Sequence, residues 1–144
     1  MQAGVVKVGK WGGDGGNPFD MGAATRLLDI RIRHGGAIDA IQIMYVKDGK
    51  IQWTPQYGGN GGDLTEITLQ EGEFLRSISG YCGNFQDMHL VRSLTFGTNL
   101  STYGPYGEQE GTTFSIPLED GKIEGFFGRY GRLLDAVGVY VGPK

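Results

Sequence analysis

The chain has 144 residues, which fits one domain over residues 1–144 with a core large enough to fold without disulfides or metal ions. Its net charge of −3 argues against a nucleic acid as the natural partner. The single cysteine, Cys82, is interpreted as a small buried hydrophobe rather than a reactive thiol. No segment is long and apolar enough to span or insert into a membrane, and no signal peptide is visible, so we expect a cytoplasmic protein, with secretion of a processed form left open.

Several segments alternate apolar and polar residues with a period of two, which predicts an all-β fold. In chain order they are 28–33, 41–45, 66–69, 74–78, 89–96, 113–116 and 137–141. Glycine-containing turns such as Asp48-Gly49 separate them. About twelve short strands, arranged as three four-stranded antiparallel sheets around a common axis, would leave few open edges.

Two interleaved motifs recur along the chain. One is a glycine loop headed by an aromatic residue, and the heads lie 46 residues apart, at Trp11, Tyr57 and Tyr103. The other is G-x-x-x-D before a strand, and its aspartates lie 48 residues apart, at Asp39, Asp87 and Asp135. Two series in step predict a threefold internal repeat. We interpret the aromatic heads as packing residues.

The last G-x-x-x-D loop combines a carboxylate with backbone donors. Glycines leave the main chain bare, so the N–H groups of Arg132 and Leu133 can point outward beside the carboxylate of Asp135. Donors and an acceptor in one small loop suit a neutral ligand covered in hydroxyls, each of which needs both. The local alternative is a tight turn whose aspartate caps its own backbone.

The motifs together identify a family. They are KWGGDGG at 10–16, FDMG at 19–22, LQEGE at 69–73, YGP at 103–105, GFFGR at 125–129 and DAVGVY at 135–140. With them the chain resembles the jacalin-related lectins over essentially its full length. The resemblance implies a β-prism of three Greek-key sheets with pseudo-threefold symmetry, and a sugar-binding protein that is not an enzyme.

The resemblance also implies where sugars bind. In the family's primary site, the aspartate matching Asp135 accepts hydrogen bonds from two neighbouring sugar hydroxyls. The N–H groups matching Arg132 and Leu133 bind the ring and exocyclic oxygens, and the glycine matching Gly16 donates from the facing loop. We therefore predict a first sugar site at Gly16, Gly131, Arg132, Leu133 and Asp135.

A second site, known in a mannose-binding member of the family, has its matching residues here at Gly35, Gly36, Ala37, Asp39 and Gly62. The third loop keeps an aspartate and two N–H positions, at Asn84, Phe85 and Asp87. Its facing glycine loop is interrupted by Pro105 and Tyr106, so we expect at most a weak third site.

The kind of sugar follows from the continuity of the chain. Galactose-binding members of the family are cut so that the residue matching Gly16 becomes a free amino terminus, whereas Gly15-Gly16 is uninterrupted here. For an unprocessed chain the resemblance implies mannose or glucose and mannose-rich glycans. One sugar should bind with about millimolar affinity, and a homodimer or homotetramer would raise avidity for branched glycans.

Other classes of function are weighed on the residues alone. A glycoside hydrolase needs two carboxyl groups about 5–10 Å apart around the scissile bond, whereas each loop here offers one aspartate. An interaction module would bind protein through its exposed sheets and keep only vestigial sugar sites. A calcium-binding β-helix needs tandem nine-residue copies, which the loop at 58–63 lacks. His34 and His89 have no neighbouring ligand set, so we expect no metal ion and no cofactor.

Overall fold

The computed structural model describes residues 4–117 and 120–143, and every regular element in them is a β-strand. The strands are β1 Val6–Gly12, β2 Asn17–Asp20, β3 Arg26–His34, β4 Ile38–Lys47, β5 Lys50–Trp53, β6 Tyr57–Gly58, β7 Asp63–Thr68, β8 Leu75–Phe85, β9 Met88–Thr98, β10 Thr102–Gly107, β11 Thr112–Pro117, β12 Gly121–Tyr130 and β13 Leu134–Pro143. Residues 1–3, where a targeting signal would begin, lie outside the described part. The described ranges contain no helix that could cross a membrane.

The strands form three antiparallel sheets. The first has the order β1-β13-β12-β2 and so joins the first two strands of the chain to its last two. The second has the order β5-β4-β3-β7, with β6 also paired to β4, and the third has the order β10-β9-β8-β11. The prediction of an all-β protein built from three such sheets is confirmed.

The second sheet has one strand more than predicted because its edge strand is interrupted. Residues 54–56 separate β5 from β6, whereas β1 and β10 run without a break. Pro55 has no N–H to give to a ladder. Thr54 bridges the gap, since its N–H donates to the Ile43 carbonyl at 2.9 Å and its hydroxyl accepts from the Ile43 N–H at 3.1 Å.

The inward faces of the sheets meet in one core. Its largest fully buried side chains are Phe96, Phe126, Ile30, Ile32, Ile38, Ile41, Ile43, Leu75, Ile78, Leu94 and Leu134, whereas Leu90, equally buried, belongs to a smaller cluster with Ala37 and Leu133. Phe96 of β9 and Phe126 of β12 meet edge to face with ring centroids 6.4 Å apart, which links the third sheet to the first. Cys82 is buried, and burial raises the pKa of its thiol to about 11, as expected for a packing residue.

The aromatic heads of the glycine loops pack as predicted. Trp11 stacks on Phe114 with ring centroids 4.7 Å apart, and Tyr57 stacks on Phe19 at 4.0 Å. Tyr103 packs against the same core, and its hydroxyl donates to the Glu73 carboxylate at 2.9 Å. All three rings are therefore packing residues.

Asp29 on β3 gives a prediction about stability. Its carboxyl group is buried, and burial together with the neighbouring Glu66 carboxyl raises its pKa from 3.8 to about 6. Ionisation of Asp29 therefore destabilises the folded state. The destabilisation is complete above pH 6 and absent below 3.8, the pKa of this carboxyl in the unfolded chain. We expect Asp29→Asn to raise the free energy of unfolding by about 1–3 kcal/mol at pH 7 and to have little effect at pH 3.5. Urea unfolding at the two pH values measures this, and an equal gain at both would contradict it.

Candidate functional site

A β-bulge delivers the carboxylate of Asp135 to the end of the first sheet. Arg129 pairs with Ala136 and Tyr130 pairs with Leu134, so Asp135 is the extra residue between two ladder positions. Such a bulge redirects a side chain out of the regular alternation. The carbonyl of Asp135 accepts from the N–H of Gly13 at 2.8 Å, which ties the 131–133 loop to the facing 13–16 loop.

The carboxylate of Asp135 lies against bare backbone of the facing loop. A Cβ atom added to Gly15 would lie 2.7 Å from its Oδ2, and one added to Gly16 would lie 2.8 Å from its Oδ1. Gly16 also has a φ of +71°, which side chains disfavour. Glycine at these two positions is therefore what leaves room beside the carboxylate.

The 131–133 loop leaves two of its three backbone donors without a partner in the described residues. The N–H of Gly131 donates to the carbonyl of Leu133 at 3.0 Å, which closes the turn. Among the hydrogen bonds of residues 4–117 and 120–143, the N–H groups of Arg132 and Leu133 have no protein acceptor. The structure thus brings together the five residues predicted for the first site, Gly16, Gly131, Arg132, Leu133 and Asp135.

Arg129 supports this loop pair and was not among the predicted site residues. Its Nε donates to the Gly15 carbonyl at 3.0 Å and its Nη2 to the Gly16 carbonyl at 2.8 Å. Burial raises the pKa of the Asp135 carboxyl, while the Arg129 charge and the Gly131 N–H oppose that rise. In the sequence Arg129 stood out only as the last residue of the GFFGR motif at 125–129, and that motif assigned it no role in the site.

The second sheet repeats the construction around Asp39. Arg33 pairs with Ala40 and His34 pairs with Ile38, so Asp39 is again the bulged residue. Its carbonyl accepts from the N–H of Gly59 at 3.0 Å, the same bond that Asp135 makes with Gly13.

The glycines around Asp39 also match those around Asp135. A Cβ on Gly61 would lie 2.7 Å from Oδ2 of Asp39, and one on Gly62 would lie 2.6 Å from Oδ1. Gly62 has a φ of +70°, and the N–H of Gly35 donates to the Ala37 carbonyl at 2.9 Å. The residues predicted for the second site, Gly35, Gly36, Ala37, Asp39 and Gly62, therefore also lie together.

An open cleft of about 370 Å³ continues from Asp39. Its other walls are the facing loop at 59–61, Phe85 and Gln86 of the β8–β9 hairpin, and Arg132 and Leu133 of the first site. The volume falls in the range of small-molecule sites. Burial raises the pKa of the Asp39 carboxyl, and the charges of His34 and Arg33 oppose that rise.

The third sheet departs from the predicted correspondence. Tyr81 pairs with Ser93 and Cys82 pairs with Val91, so the bulged residue is Arg92. The carbonyl of Arg92 accepts from the N–H of Glu108 at 2.9 Å, as the carbonyls of Asp39 and Asp135 accept from their facing loops. Arg92, and not Asp87, therefore occupies the position of the two aspartates.

Asp87 lies instead in the two-residue turn between β8 and β9. Gln86 and Asp87 form that turn with φ values of 52° and 63°. The hairpin is longer than its counterparts because β8 and β9 stay paired beyond the bulge as far as Phe85 and Met88. Asn84 and Phe85 lie on the same hairpin, so the residues of the expected weak third site do not form a copy of the other two loops.

The aromatic counterpart of Trp11 and Tyr57 in the third sheet is Tyr106, which pairs with Leu94, rather than Tyr103.

Metal-binding groups do not gather in the described residues, where no three His, Cys, Asp or Glu side chains come close enough to hold an ion. His34 Nε2 lies 2.8 Å from the Thr65 hydroxyl, and His89 Nδ1 lies 3.3 Å from Asn84 Oδ1. What the two aspartate loops offer a ligand is carboxylate oxygens and peptide N–H groups.

Known proteins share this architecture. AcmJRL, a mannose-binding jacalin-related lectin from Ananas comosus, is 49% identical with a TM-score of 0.94, over 99% of this chain and 100% of that one. Malaysian banana lectin is 45% identical with a TM-score of 0.95, over 98% of this chain and 100% of that one. Jacalin-related lectin 3 of Arabidopsis thaliana is 42% identical over 143 residues, which are 96% of this chain and 24% of that protein.

The chain thus spans about a quarter of the length of the Arabidopsis relative, whereas it covers the banana and Ananas lectins in full. The sequence pattern of the Jacalin-like lectin domain matches residues 8–140. The fold, the paired glycine and aspartate loops and this match lead to one conclusion: the chain belongs to the jacalin-like lectin family.

Proposed function

We propose that the chain binds mannose- and glucose-type sugars, and the glycans that carry them, at two sites anchored by Asp135 and Asp39. The observation that carries the proposal is the duplication: two different sheets each set a bulged aspartate against a facing glycine loop. Lectins bind sugars without converting them, so the chain is a binding protein rather than a glycoside hydrolase.

The chemistry of each site suits a pyranose. An ionised carboxylate accepts hydrogen bonds from two adjacent hydroxyls, and the N–H groups of Arg132 and Leu133 donate to the ring and exocyclic oxygens. In the second site the N–H groups of Gly36 and Ala37 take those roles. Each charge-assisted bond contributes about 1.5–3 kcal/mol. The hydroxyls lose water on binding, so the net affinity for one sugar should be about millimolar.

The sugar class is supported by the uninterrupted loop at 13–16 and by the Ananas lectin, which is mannose-binding. With an intact peptide bond before it, Gly16 presents a neutral N–H rather than a charged amine. Calorimetric titration with the methyl α-glycosides of mannose, glucose and galactose tests the proposal. We expect two mannoside or glucoside molecules per chain and no galactoside, and a preference for galactoside would contradict the sugar class.

The raised pKa values of Asp135 and Asp39 predict how binding depends on pH. The ionised carboxylate is the form that accepts two hydroxyls, so binding is complete above the pKa of the free site and falls as pH drops through it. Burial puts both pKa values above the ordinary 3.8. Mannoside affinity measured from pH 7 to pH 3.5 should therefore fall before an ordinary aspartate would protonate. Affinity unchanged to pH 3.5 would exclude a carboxylate anchor.

We further propose that the chain acts as a homodimer or homotetramer, because millimolar sites hold a branched glycan firmly only when several of them bind at once. Ile51 on β5 and Leu64 on β7 are 66% and 52% exposed at the edges of the second sheet, which offers apolar surface for association. Light scattering after gel filtration measures the oligomeric state.

A further inference from the structure

Arg92 holds the position that an aspartate holds in each of the two proposed sugar sites. All three residues are bulged, and all three carbonyls accept a backbone N–H from a facing loop. Arg92 differs from the two aspartates in its charge: its side chain, which is 8% exposed, carries a guanidinium instead of a carboxylate. A cation therefore occupies, in the third sheet, the position that a carboxylate occupies in the other two.

The guanidinium of Arg92 is surrounded by acceptors of this chain. Nε donates to the Gly36 carbonyl at 3.0 Å, and Nη1 donates to the Asn84 carbonyl at 2.9 Å. Nη2 lies 3.3 Å from Oε2 of Glu110 and 3.7 Å from Oε2 of Glu108, and the group lies over the ring of Phe85 at 4.9 Å. Little is left free to bind a ligand, so the side chain acts by holding its neighbours.

The bond to Gly36 reaches into the second sugar site. Gly36 and Ala37 correspond to Arg132 and Leu133, whose N–H groups are the proposed donors of the first site. The carbonyl of Gly36 and the N–H of Ala37 belong to one planar trans peptide and point in opposite directions. Fixing the carbonyl on Arg92 therefore aims the N–H of Ala37 away from Arg92.

The first site has no such brace. The backbone of Arg132, the counterpart of Gly36, packs against Gly59, and within residues 4–117 and 120–143 no side chain donates to its carbonyl. The two sites thus share an anchor but differ in what fixes their donor loop. We infer that Arg92 is a positioning residue of the second site, because it aims the Ala37 N–H at the sugar. This inference rests on the proposed function.

The test isolates each sugar site in turn and then removes the hydrogen bond from Arg92 to the Gly36 carbonyl. Asp135→Asn leaves only the second site and Asp39→Asn leaves only the first. Arg92→Met is added to each background, because methionine keeps apolar contact with Phe85 and donates nothing. We expect methyl α-mannoside affinity to fall about tenfold in the Asp135→Asn background and to stay unchanged in the Asp39→Asn background. NMR titration gives the affinity, and amide hydrogen exchange at Ala37 should become faster.

Two further variants separate positioning from general stability. Glu110→Gln removes an exposed partner of Arg92 and leaves the bond to Gly36, so it should not change either site. Arg92→Lys keeps the charge but not the planar fork that reaches two carbonyls, so it should not restore the second site. Two results would overturn this inference and leave the proposed function standing. One is unchanged affinity when Arg92→Met is added to a folded Asp135→Asn variant, and the other is an equal loss of affinity at both sites. Failure of the unmutated chain to bind mannoside would overturn the proposed function and this inference with it.

Discussion

The double variant Asp135→Asn and Asp39→Asn is expected to lose measurable binding of methyl α-mannoside while it keeps its fold. Asparagine has the same shape, but it loses the charge and turns an NH₂ donor toward a sugar hydroxyl. Two charge-assisted bonds of about 1.5–3 kcal/mol each then become weak or repulsive, which lowers affinity at least about a hundredfold. Starting from about millimolar, calorimetry would detect no heat. Circular dichroism and thermal unfolding report whether the sheets persist.

The single variants and a matched control make this result specific. Asp135→Asn and Asp39→Asn should each halve the number of mannosides bound per chain and leave the remaining affinity unchanged. Asp87→Asn changes the third aspartate of the G-x-x-x-D series, which lies in a hairpin turn, and should change neither number. Full binding by the double variant would show that the carboxylates are not the anchors. A loss of binding in the Asp87→Asn variant would show that the third loop also binds sugar.

Adding a single methyl group should close either site. Alanine at Gly15 would put its Cβ 2.7 Å from Oδ2 of Asp135, and alanine at Gly61 would put it 2.7 Å from Oδ2 of Asp39. Neither glycine has a left-handed φ, so the backbone accepts alanine and the methyl group displaces the carboxylate instead. We expect each variant to lose one mannoside per chain and to unfold near the temperature of the parent.

Each glycine variant is the control for the other, because each changes one loop and leaves the other site intact. Crystals of Gly15→Ala soaked with methyl α-mannoside should show sugar at Asp39 alone, and those of Gly61→Ala at Asp135 alone. Sugar density at the altered loop would mean that the carboxylate does not need the bare backbone beside it. Density at neither loop would mean that one substitution disturbs both.

The sheets and two of the three loops could be predicted from the sequence because each depends on local chemistry. Alternation with a period of two marks a strand with one buried face, and glycines mark the places where backbone must approach backbone. Asp39 and Asp135 follow loops of equal length, so counting residues from their glycines finds both bulges. The role of Arg129 could not be predicted in this way, because a long side chain can reach two carbonyls on a distant loop without any regular spacing in the sequence.

The third repeat could not be predicted by counting because its hairpin is longer. β8 and β9 extend past the bulge to a turn at Gln86 and Asp87, which moves the bulge to Arg92. The interval of 48 residues between the aspartates therefore matched a turn residue to two bulged residues. The three-dimensional pairing, in which Ser93 lies opposite Gly107 as Ala136 lies opposite Gly12, identifies Arg92 as the true counterpart.

The pairing of β1 with β13 has a consequence for the order in which the two sites are assembled. Val6 pairs with Val141, so the first sheet can close only after residue 141 has left the ribosome. The second sheet lies within β3 to β7 and can form while synthesis continues. Nascent or refolding chains should therefore acquire the Asp39 pocket early and the Asp135 pocket last, since distant contacts form late.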